Sequence, residues 1–410
     1  MPAPVAASAA SRFLTQEAGV AELLDLADQR LALMPGVAAT KWQHHAAVTD
    51  AARERVVIRH AGELAEPLGL APQPVERVFE IQVREARELE VRLTQQWRAH
   101  GFRFAAAIPD LTSQVRPQLD TITSRMLRAL YLAAPAFRRP DFAQHYAALA
   151  NSHLRSAGWT NRSRRELLAA LALVRTASAP SLQRIAASGV LRVGVTGDYP
   201  PFSLESAGAL RGADIELAAR LANHLHAQVV FVRTSWRSLL DDLHDGDFDI
   251  AMGGVSVSAQ RQSRAALSIP YSSGGKTILA RCTDAARFRD LAAVDRSQVR
   301  VIVNPGGTNE QFVRATLHNA QIRVYPDNRT IFDEIRAGRA DVMITDDTEV
   351  ELQTRRHPDL CRSFPGTLTR GVKAVLMPKD AALLAAVNEW LRGEIAAGVP
   401  ARLIGDGLGD

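Results

Sequence analysis

Glycine is distributed unevenly along the 410-residue chain, and this asymmetry constrains the fold more than any other sequence feature. Residues 1–180 contain 6 of the 26 glycines, whereas residues 181–410 contain the other 20. Glycine marks tight turns and is disfavoured inside helices. The first part is therefore expected to be helical, and the second to alternate short elements with turns. The length also predicts more than one domain.

The composition excludes several classes of protein. Hydrophobic residues make up 47% and charged residues 23%, as in ordinary globular chains. One of the longest apolar runs, residues 167–174, is far shorter than the roughly 18 residues of a membrane span. The net charge of +5 comes from basic residues dispersed among acidic ones, which suits small anionic substrates better than nucleic acid. Two cysteines are too few for a cysteine-built metal centre but compatible with one disulfide.

The pattern of elements predicts an all-α domain followed by an α/β domain. Residues rich in Ala, Leu, Arg and Glu predict long helices, including one from Pro74 to His100. Short Val/Ile runs that alternate with amphipathic stretches indicate βαβ units in a two-lobed domain. The predicted bounds are 12–176 for the helical domain, 177–182 for the linker and 183–410 for the α/β domain. Lobe 1 covers about 183–282 and 370–410, and lobe 2 about 283–369.

One carboxylate in the helical half occupies a position that should be apolar. Glu90 lies 11 residues after Phe79 and seven after Val83, so it falls within the buried stripe of its helix. A core carboxylate needs a partner or a raised pKa. Arg30 and Lys41 are also 11 residues apart and share a face if their helix continues through Pro35-Gly36. From spacing alone, a purely structural ion pair with Glu90 explains the pattern as well as a binding site does.

The motifs of this half resemble the exported, all-helical class of chorismate mutases. They are Gln29-Arg-Leu-Ala-Leu-Met34, Val37-Ala-Ala-Thr-Lys-Trp42, Asp50-Ala-Ala-Arg-Glu54 and Val78-Phe-Glu-Ile-Gln82. The resemblance implies the Claisen rearrangement of chorismate to prephenate in a cage of cations, without cofactor or metal. It places Lys41 and Glu90 at the ether oxygen. The other implied substrate-binding residues are Arg30, Asp50, Arg53, Gln82 and Arg116. Ala86 departs from the family, which usually has a polar side chain there.

The motifs of the second half resemble two-lobed periplasmic solute-binding proteins for amino acids, and more closely the exported cyclohexadienyl dehydratases. The latter are indicated by Thr234-Ser-Trp236, Asp249-Ile-Ala-Met-Gly-Gly254, Val301-Ile-Val-Asn-Pro-Gly-Gly-Thr-Asn-Glu310 and Asp341-Val-Met-Ile-Thr-Asp346. The resemblance implies decarboxylative dehydration of prephenate to phenylpyruvate, or of arogenate to phenylalanine. It also implies export and, with it, a disulfide between Cys282 and Cys361.

Residue types suggest the roles within this second site. Glu349 is the expected general acid, although a glutamate in a first helical turn commonly serves the helix dipole instead. Arg261, with Ser256 and a helix N-terminus after Gly307, is expected to bind a carboxylate unless it is merely a surface arginine. Asn304 is expected to act at the leaving hydroxyl or a carboxylate. The remaining expected substrate-binding residues are Tyr199, Trp236, Lys276, Thr308 and Asp346.

The two resemblances support each other because the product of the first reaction is the substrate of the second. We therefore predict a bifunctional enzyme of phenylalanine biosynthesis that acts on chorismate, prephenate and arogenate. The alternatives are a solute-binding receptor with an inactive helical module, or a dehydratase whose helical half is regulatory. We expect a periplasmic or exported protein that binds neither nucleic acid nor membrane. The sequence is compatible with a homo-oligomer. No basic region precedes the small, apolar first residues, so they are expected to be either the stub of a removed signal peptide or a cytoplasmic start.

Overall fold

The computed structural model describes residues 11–176 and 181–409, which form two compact units. One unit is the helical segment Thr15–Ser188. The other starts at Gly189 and also includes residues 11–14. Four residues of the predicted linker, 177–180, lie outside the described residues.

The helical unit forms from long amphipathic segments with recognisable ends. Its helices are α1 (Gln16–Ala32), α2 (Met34–Gln43), α3 (Ala51–Ala65), α4 (Pro72–His100), α5 (Arg116–Phe137), α6 (Phe142–His145), α7 (Ala147–His153), α8 (Asn161–Leu171) and α9 (Ser181–Ser188). The Thr15 hydroxyl caps α1 by accepting from the Ala18 amide at 3.1 Å. The expected interruption occurs at Leu33, and Pro35 lies in the first turn of α2, where a missing N–H costs little.

The core of the helical unit lies on the inner face of α4. Val75 and Phe79 are fully buried, and they pack with apolar residues of α1 and α5 such as Leu24 and Leu130. This packing places the polar residues of the same face, including Glu90, within the interior of the unit. A second small cluster forms where Trp97 packs near the end of α4.

The ends of the helical unit differ from the predicted bounds. Helix α9 belongs to the helical unit: its Ile185 is buried, and the Arg184 guanidinium donates to the Tyr131 hydroxyl at 3.3 Å. The predicted start of the α/β domain, residue 183, falls within this helix. At the other end, Phe13 pairs with Phe231 of the α/β unit, although residues 12–14 were predicted to be helical-domain residues. Isolated pairings with distant strands, such as those of Ser11 with Leu210 and Phe13 with Phe231, leave no periodic pattern in the sequence.

The α/β unit has short strands joined by helices. Its strands are β1 (Val190–Val195), β2 (Asp198–Tyr199), β3 (Ser203–Ser206), β4 (Ala209–Arg211), β5 (Gln228–Arg233), β6 (Ile250–Ala251), β7 (Ala266–Leu267), β8 (Ser272–Gly274), β9 (Lys276–Arg281), β10 (Arg300–Val303), β11 (Gln321–Val324), β12 (Val342–Asp346), β13 (Leu360–Arg362), β14 (Gly371–Lys373) and β15 (Leu376–Met377). Its helices are α10 (Ala213–His224), α11 (Leu239–His244), α12 (Ala259–Arg264), α13 (Leu291–Val294), α14 (Thr308–Thr316), α15 (Ile331–Arg336), α16 (Asp347–Arg356), α17 (Ala381–Ala396) and α18 (Val399–Gly409).

Two five-stranded sheets define the two lobes. Lobe 1 has the order β5-β1-β6-β15-β7 and lobe 2 the order β11-β10-β12-β9-β13. The pairs β1–β5, β1–β6, β10–β11 and β10–β12 are parallel, as βαβ units require. The carboxyl ends of these parallel strands carry the loops that can form a ligand site. Strand β15 belongs to the lobe 1 sheet, so the chain returns there from lobe 2 as predicted.

The chain passes between the lobes through β8 and β14, which pair antiparallel. Two short strands thus carry the return to lobe 1: Lys373 ends β14, and β15 begins at Leu376. The predicted disulfide between Cys282 and Cys361 is present, and it lies in lobe 2. Because β9 belongs to the lobe 2 sheet, lobe 2 begins before the predicted boundary at residue 282. The two cysteines flank the antiparallel pair of β9 and β13, with Cα atoms 4.8 Å apart.

Candidate active sites

The helical unit encloses a cavity of about 280 Å³. Its wall comes from α1, α2, α3, α4 and the beginning of α5, together with the turn before α5. Every residue predicted for this site lies on the wall: Arg30, Lys41, Asp50, Arg53, Gln82, Glu90 and Arg116. Aliphatic side chains such as Val37, Val83 and Leu119 fill the spaces between them. Several cations in a partly apolar enclosure suit a small organic anion.

Lys41 and Glu90 form an ion pair across this cavity. The Lys41 Nζ donates to Glu90 Oε2 at 2.7 Å and to the Val48 carbonyl oxygen at 2.9 Å. Burial raises the pKa of Glu90, while Lys41 acts to lower it. Because Oε2 accepts from the ammonium group, a proton on Glu90 belongs on Oε1. The pair can thus present two donors to one oxygen atom of a ligand.

Arg30 supplies a buried cation to the same cavity. Its guanidinium donates to the Thr123 hydroxyl at 2.9 Å and lies 5.6 Å from the centre of the Phe79 ring. Burial lowers the pKa of Arg30 to about 10, and Asp120 opposes this shift. The group still carries its charge near neutral pH. Arg53 and Arg116 are exposed, so they form the solvent side of the wall.

Gln82 has a side chain whose hydrogen-bonding groups are unsatisfied. The residue is 2% exposed, and neither Nε2 nor Oε1 has a partner among the described residues. A buried amide without partners costs stability, so such a group commonly meets a ligand. Gln82 lies one helical turn before Ala86, and both residues line the cavity.

Asp50 has a structural role alongside its position on the wall. Its Oδ1 accepts from the Arg53 amide at 2.9 Å and thereby caps α3. The sequence prediction also missed a neighbouring ion pair, in which the Arg87 guanidinium donates to Glu54 Oε2 at 3.0 Å. Both residues line the cavity. Arg87 directly follows Ala86, and nothing in its spacing distinguishes it from a solvated helix residue.

The two lobes of the α/β unit enclose a second, smaller cavity. Eight of the residues predicted for it form the wall: Tyr199, Trp236, Ser256, Arg261, Asn304, Thr308, Asp346 and Glu349. The ninth, Lys276, reaches the same group through hydrogen bonds to Thr308 and Asp346. These residues come from loops at the carboxyl ends of strands, from the start of α14 and from the segments near β8 and β14.

Asp346 is the centre of a charged cluster in this cleft. Its Oδ1 accepts from Lys276 Nζ at 3.0 Å. Its Oδ2 accepts from Lys373 Nζ at 2.6 Å and from the Tyr199 hydroxyl at 2.5 Å. Burial raises the pKa of Asp346, but the two ammonium groups outweigh it and hold that pKa well below its usual range. Asp346 is therefore an ionised carboxylate whose oxygens are both occupied.

Glu349 differs from Asp346 although only three residues separate them. It is 1% exposed, and its Oε2 accepts from the Thr345 hydroxyl. Its Oε1 is buried without a partner among the described residues. Burial raises the pKa of Glu349 to about 8. The carboxyl group is thus protonated at neutral pH, and its proton belongs on Oε1.

A directional chain of hydrogen bonds orients this acid. Lys276 Nζ donates to Asn309 Oδ1 at 2.5 Å, which fixes the Asn309 amide with its nitrogen turned away. That nitrogen donates to the Thr345 hydroxyl at 2.9 Å and to Asn304 Oδ1 at 3.1 Å. The Thr345 hydroxyl must then use its own proton toward Glu349 Oε2. Oε1 is left as the oxygen that can donate into the cavity.

Arg261 is buried rather than on the surface. It is 6% exposed, and burial lowers its pKa to about 10. Its Nη1 donates to the Ser256 carbonyl oxygen at 2.6 Å, and the guanidinium lies 5.8 Å from the Trp236 ring centre. The Ser256 hydroxyl accepts from Lys373 Nζ at 2.9 Å, which leaves its own proton available to a bound anion. The rest of the guanidinium can bind an anion together with the amides that begin α14.

Neither a cluster of metal ligands nor a helix suited to a membrane occurs among the described residues. Residues 11–176 and 181–409 contain no group of three or more His, Cys, Asp or Glu side chains arranged to hold a metal ion. No helix in the same ranges is long and apolar enough to cross a membrane.

The family follows from a match over more than half of the chain. Residues 191–404 match the model of bacterial extracellular solute-binding proteins, family 3. The chain belongs to this family. Residues 21–91, within the helical unit, match the separate model of chorismate mutase type II. These matches confirm the predicted fold class, a helical chorismate mutase domain followed by a two-lobed solute-binding fold.

The relatives of the solute-binding unit include an enzyme and receptors. It is similar to cyclohexadienyl dehydratase of Pseudomonas aeruginosa, with 48% identity over 232 residues, 55% of this chain and 87% of that protein. It is also similar to the L-cystine-binding protein TcyJ of Escherichia coli K12, with 29% identity over 181 residues, 44% of this chain and 67% of that protein. The structure of the ancestral amino acid-binding protein AncCDT-1, a precursor of cyclohexadienyl dehydratase, aligns with a TM-score of 0.53 and 32% identity, covering 56% of this chain and 99% of that chain.

Sequence reasoning missed several residues of the solute-binding cleft. They are Lys373, Asn309, Thr345 and Asn328, and each of the first three contacts a predicted residue. Asn309 directly follows the predicted Thr308, and Thr345 directly precedes the predicted Asp346. A polar side chain next to a predicted site residue is the signal that could have identified both. Lys373 carries no local signal, because its site partner Tyr199 is 174 positions away.

Proposed function

We propose that this chain rearranges chorismate to prephenate in the helical unit and then dehydrates and decarboxylates prephenate or arogenate in the solute-binding unit. The observation that carries this proposal is Glu349, a neutral acid with a free oxygen inside a cleft that otherwise suits a receptor. A receptor needs charged groups to hold its ligand, but it has no use for a buried acid that costs stability when unpaired.

In the proposed mutase reaction the substrate is converted without a covalent intermediate. The ether C–O bond breaks while a C–C bond forms within the same molecule, so the protein needs only to hold the folded conformer and stabilise charge on the oxygen. Lys41 Nζ and Glu90 Oε1 are the proposed donors to that oxygen. Arg30, Arg53 and Arg116 are the proposed partners of the two carboxylates.

Gln82 supplies a further proposed contact in this site. The family commonly has a polar side chain where this chain has Ala86. The unsatisfied amide of Gln82, one turn earlier on the same helix, can donate to a substrate oxygen over that position. Binding of substrate would then satisfy a group that is unpaired in the free protein.

In the proposed dehydratase reaction Glu349 donates its proton from Oε1 to the ring hydroxyl, which leaves as water. The C–C bond to the ring carboxylate breaks, its electrons complete the aromatic ring, and CO2 departs. For prephenate the sum is one dianion and one proton giving the phenylpyruvate anion, CO2 and water. General acid catalysis of this kind needs a carboxyl group with a raised pKa, as burial of Glu349 provides.

The remaining cleft residues have proposed binding roles. Arg261 and the amides at the start of α14 hold a substrate carboxylate, since that guanidinium keeps unused donors. Trp236 and Tyr199 lie against the ring. Asn304, held by Asn309, is proposed to orient the leaving hydroxyl. No metal or cofactor is required by this chemistry.

We also propose that the protein works outside the cytoplasm. Two observations support this: its family is named for extracellular solute-binding proteins, and Cys282 and Cys361 form a disulfide. Disulfides of this kind are stable in the periplasm or beyond it and rare in the cytoplasm. The proposed partners are the small molecules chorismate, prephenate and arogenate.

One time course tests the combined proposal. Purified full-length chain is incubated with chorismate, and chorismate, prephenate and phenylpyruvate are followed by chromatography. We expect chorismate to fall, prephenate to rise transiently and phenylpyruvate to accumulate. If chorismate is stable while added prephenate is consumed, the helical unit is regulatory rather than catalytic. If neither compound reacts, the chain is a receptor and the proposal fails.

A further inference from the structure

The catalytic cleft offers no carboxylate that can neutralise a positive charge on a ligand. Two carboxyl groups lie on its wall in the described part of the chain, those of Asp346 and Glu349. Both oxygens of Asp346 already accept from Lys276, Lys373 and Tyr199. Glu349 must keep its proton to act as the acid. A ligand ammonium group placed in this cavity therefore finds no anionic partner.

The fixed charges of the cleft also favour a doubly negative ligand. Three cations, Arg261, Lys276 and Lys373, surround a single ionised carboxylate, that of Asp346. The arithmetic, three positive charges minus one, leaves two positive charges while Glu349 is neutral. A dianion restores electrical balance, whereas a ligand with two carboxylates and an ammonium group leaves one positive charge uncompensated.

The lysines cannot turn away to admit a positive group. Lys276 Nζ donates to Thr308, Asn309 and Asp346, so its three protons are all used. Lys373 Nζ donates to Asp346 and Ser256 and contacts the Tyr199 hydroxyl at 3.2 Å. Both ammonium groups are buried and held in place by these bonds.

We infer that the cleft selects the substrate whose side chain ends in a keto acid, prephenate, over the one whose side chain ends in an amino acid, arogenate. The inference rests on the proposed dehydratase function and adds a substrate preference to it. Its physical cause is that the ammonium group of arogenate would be desolvated beside two fixed lysines with no free counter-ion. The keto group of prephenate is uncharged and meets no such repulsion.

Two acidic residues outside the cleft limit this inference. Asp347 lines a neighbouring cavity beside Lys373, and its Oδ1 accepts from the Thr348 amide at 2.9 Å. Asp198 lines the adjoining outer cavity, where its Oδ1 accepts from the Trp236 indole at 3.2 Å. Burial raises the pKa of Asp198, while the hydrogen bond from Trp236 and the charge of Arg329 act to lower it. Asp198 directly precedes the cleft residue Tyr199, and its charge contributes to the raised pKa of Glu349. The Asp198→Asn variant is included in the test for this reason.

The test compares kcat/KM for prephenate and arogenate in the full-length protein. For the wild type we expect kcat/KM for prephenate to exceed that for arogenate by about 10-fold or more. The reason is that arogenate must bring its ammonium group close to like charges away from solvent. A ratio near one, or a preference for arogenate, would overturn the inference. No turnover of either substrate would instead refute the dehydratase function itself, so the two failures are distinguishable.

Two charge-removing variants locate the cause. Lys373→Gln and Lys276→Gln each relieve Asp346 of one cation, so we expect the preference for prephenate to fall at least about 3-fold in each, even where both rates decline. Lys379→Gln is the matched control, because Lys379 is an exposed lysine of the same unit. An unchanged ratio in both folded cleft variants would overturn the proposed cause. So would a selective loss of arogenate turnover in Asp198→Asn. The wild-type ratio decides the matter if a cleft variant fails to fold.

Discussion

The two cavities each contain a buried glutamate, and they hold it in opposite ways. In the helical unit Glu90 lies against a cation, with Lys41 Nζ 2.7 Å from its Oε2. In the cleft Glu349 touches only a neutral hydroxyl, while the nearby lysines are paired with Asp346 instead. Burial raises the pKa of both glutamates. Lys41 acts to lower the pKa of Glu90, whereas the charge of Asp346 raises the pKa of Glu349 further.

This difference corresponds to the two kinds of chemistry proposed. A rearrangement consumes no proton, so a protonated Glu90 held by Lys41 can remain a hydrogen-bond donor throughout the proposed reaction. A dehydration consumes a proton, so the acid must lie apart from cations, because a neighbouring cation would lower its pKa and favour the ionised form. Asp346 separates them by occupying both lysines. In the proposed reactions the same residue type is a fixed donor in one unit and a proton source in the other.

The largest expected effect tests the proton source. Glu349→Gln keeps the shape of the side chain but removes the proton, so dehydratase kcat should fall by about 10² to 10⁴. Substrate binding should be largely retained, and mutase activity should not change. Both activities are measured on the same preparation.

Glu351→Gln is the matched control for this variant. Glu351 is on the same helix but pairs with Arg355 at the surface, so its neutralisation should leave both activities intact. A Glu349→Gln protein that converts prephenate at a near wild-type rate would refute the assignment and make Asp346 the next candidate.

The second prediction tests the fixed donor. Lys41→Ala removes one of the two donors to the ether oxygen and leaves Glu90 without its partner, so mutase kcat/KM should fall by about 10² to 10³. Prephenate should still be converted at the wild-type rate, because the two sites are in separate units. Loss of both activities in a folded variant would contradict the two-site model.

Much of both sites was predictable, because their residues lie in short motifs. Arg30 and Lys41 are 11 positions apart, and the resemblance assigned both to one site although the helix breaks between them. The free acid was predictable in the same way, since Glu349 follows Asp346 by three residues at the start of α16. The spacing of residues in the sequence predicts their proximity where they lie on the same helix or strand, as Asp346 and Glu349 do at the start of α16.

The remainder could not be predicted, because it depends on contacts across the chain. Lys373 reaches Asp346 only because β14 returns between the lobes, and its own surroundings, Gly-Val-Lys-Ala-Val, predict an ordinary strand. Lys373 also donates to the Ser256 hydroxyl, 117 positions away along the chain. Which of two polar groups accepts from a given donor is settled by geometry in three dimensions.

The third prediction sharpens the separation of the units through stability. The Cys282–Cys361 bond closes a loop of 79 positions in lobe 2, so replacing both cysteines by serine should lower the unfolding free energy of the solute-binding unit by about 2 to 4 kcal/mol. Denaturant unfolding followed by loss of dehydratase activity measures this. Mutase activity should persist at denaturant concentrations that remove the dehydratase. Simultaneous loss of both would indicate that the units unfold together.

The fourth prediction concerns pH. The active form of Glu349 is protonated, and its pKa is about 8, so dehydratase kcat/KM should fall as the pH rises through 8, by about tenfold at pH 9. Folding favours the same protonated form, so the contribution of Glu349 to the free energy of unfolding is lost as the pH rises from the ordinary glutamate pKa of 4.5 to about 8. Residual activity of Glu349→Gln should lack this decline. A pH profile that is flat from 7 to 9 would contradict the assigned acid.

The smallest expected effect concerns a residue that serves substrate binding at the expense of stability. Gln82 buries an amide without partners, so Gln82→Leu should leave the helical unit as stable as the wild type or more stable, because an apolar side chain of similar length removes the unsatisfied groups. The same change should raise the mutase KM by about 3- to 10-fold, since the substrate loses a hydrogen bond to a neutral group. A purely structural glutamine would show the reverse pattern, with lower thermal stability and an unchanged KM. Glu349 also has one oxygen without a partner among the described residues. Measuring the thermal stability of Glu349→Gln together with that of Gln82→Leu tests whether unsatisfied groups in both sites lower the stability of the free protein.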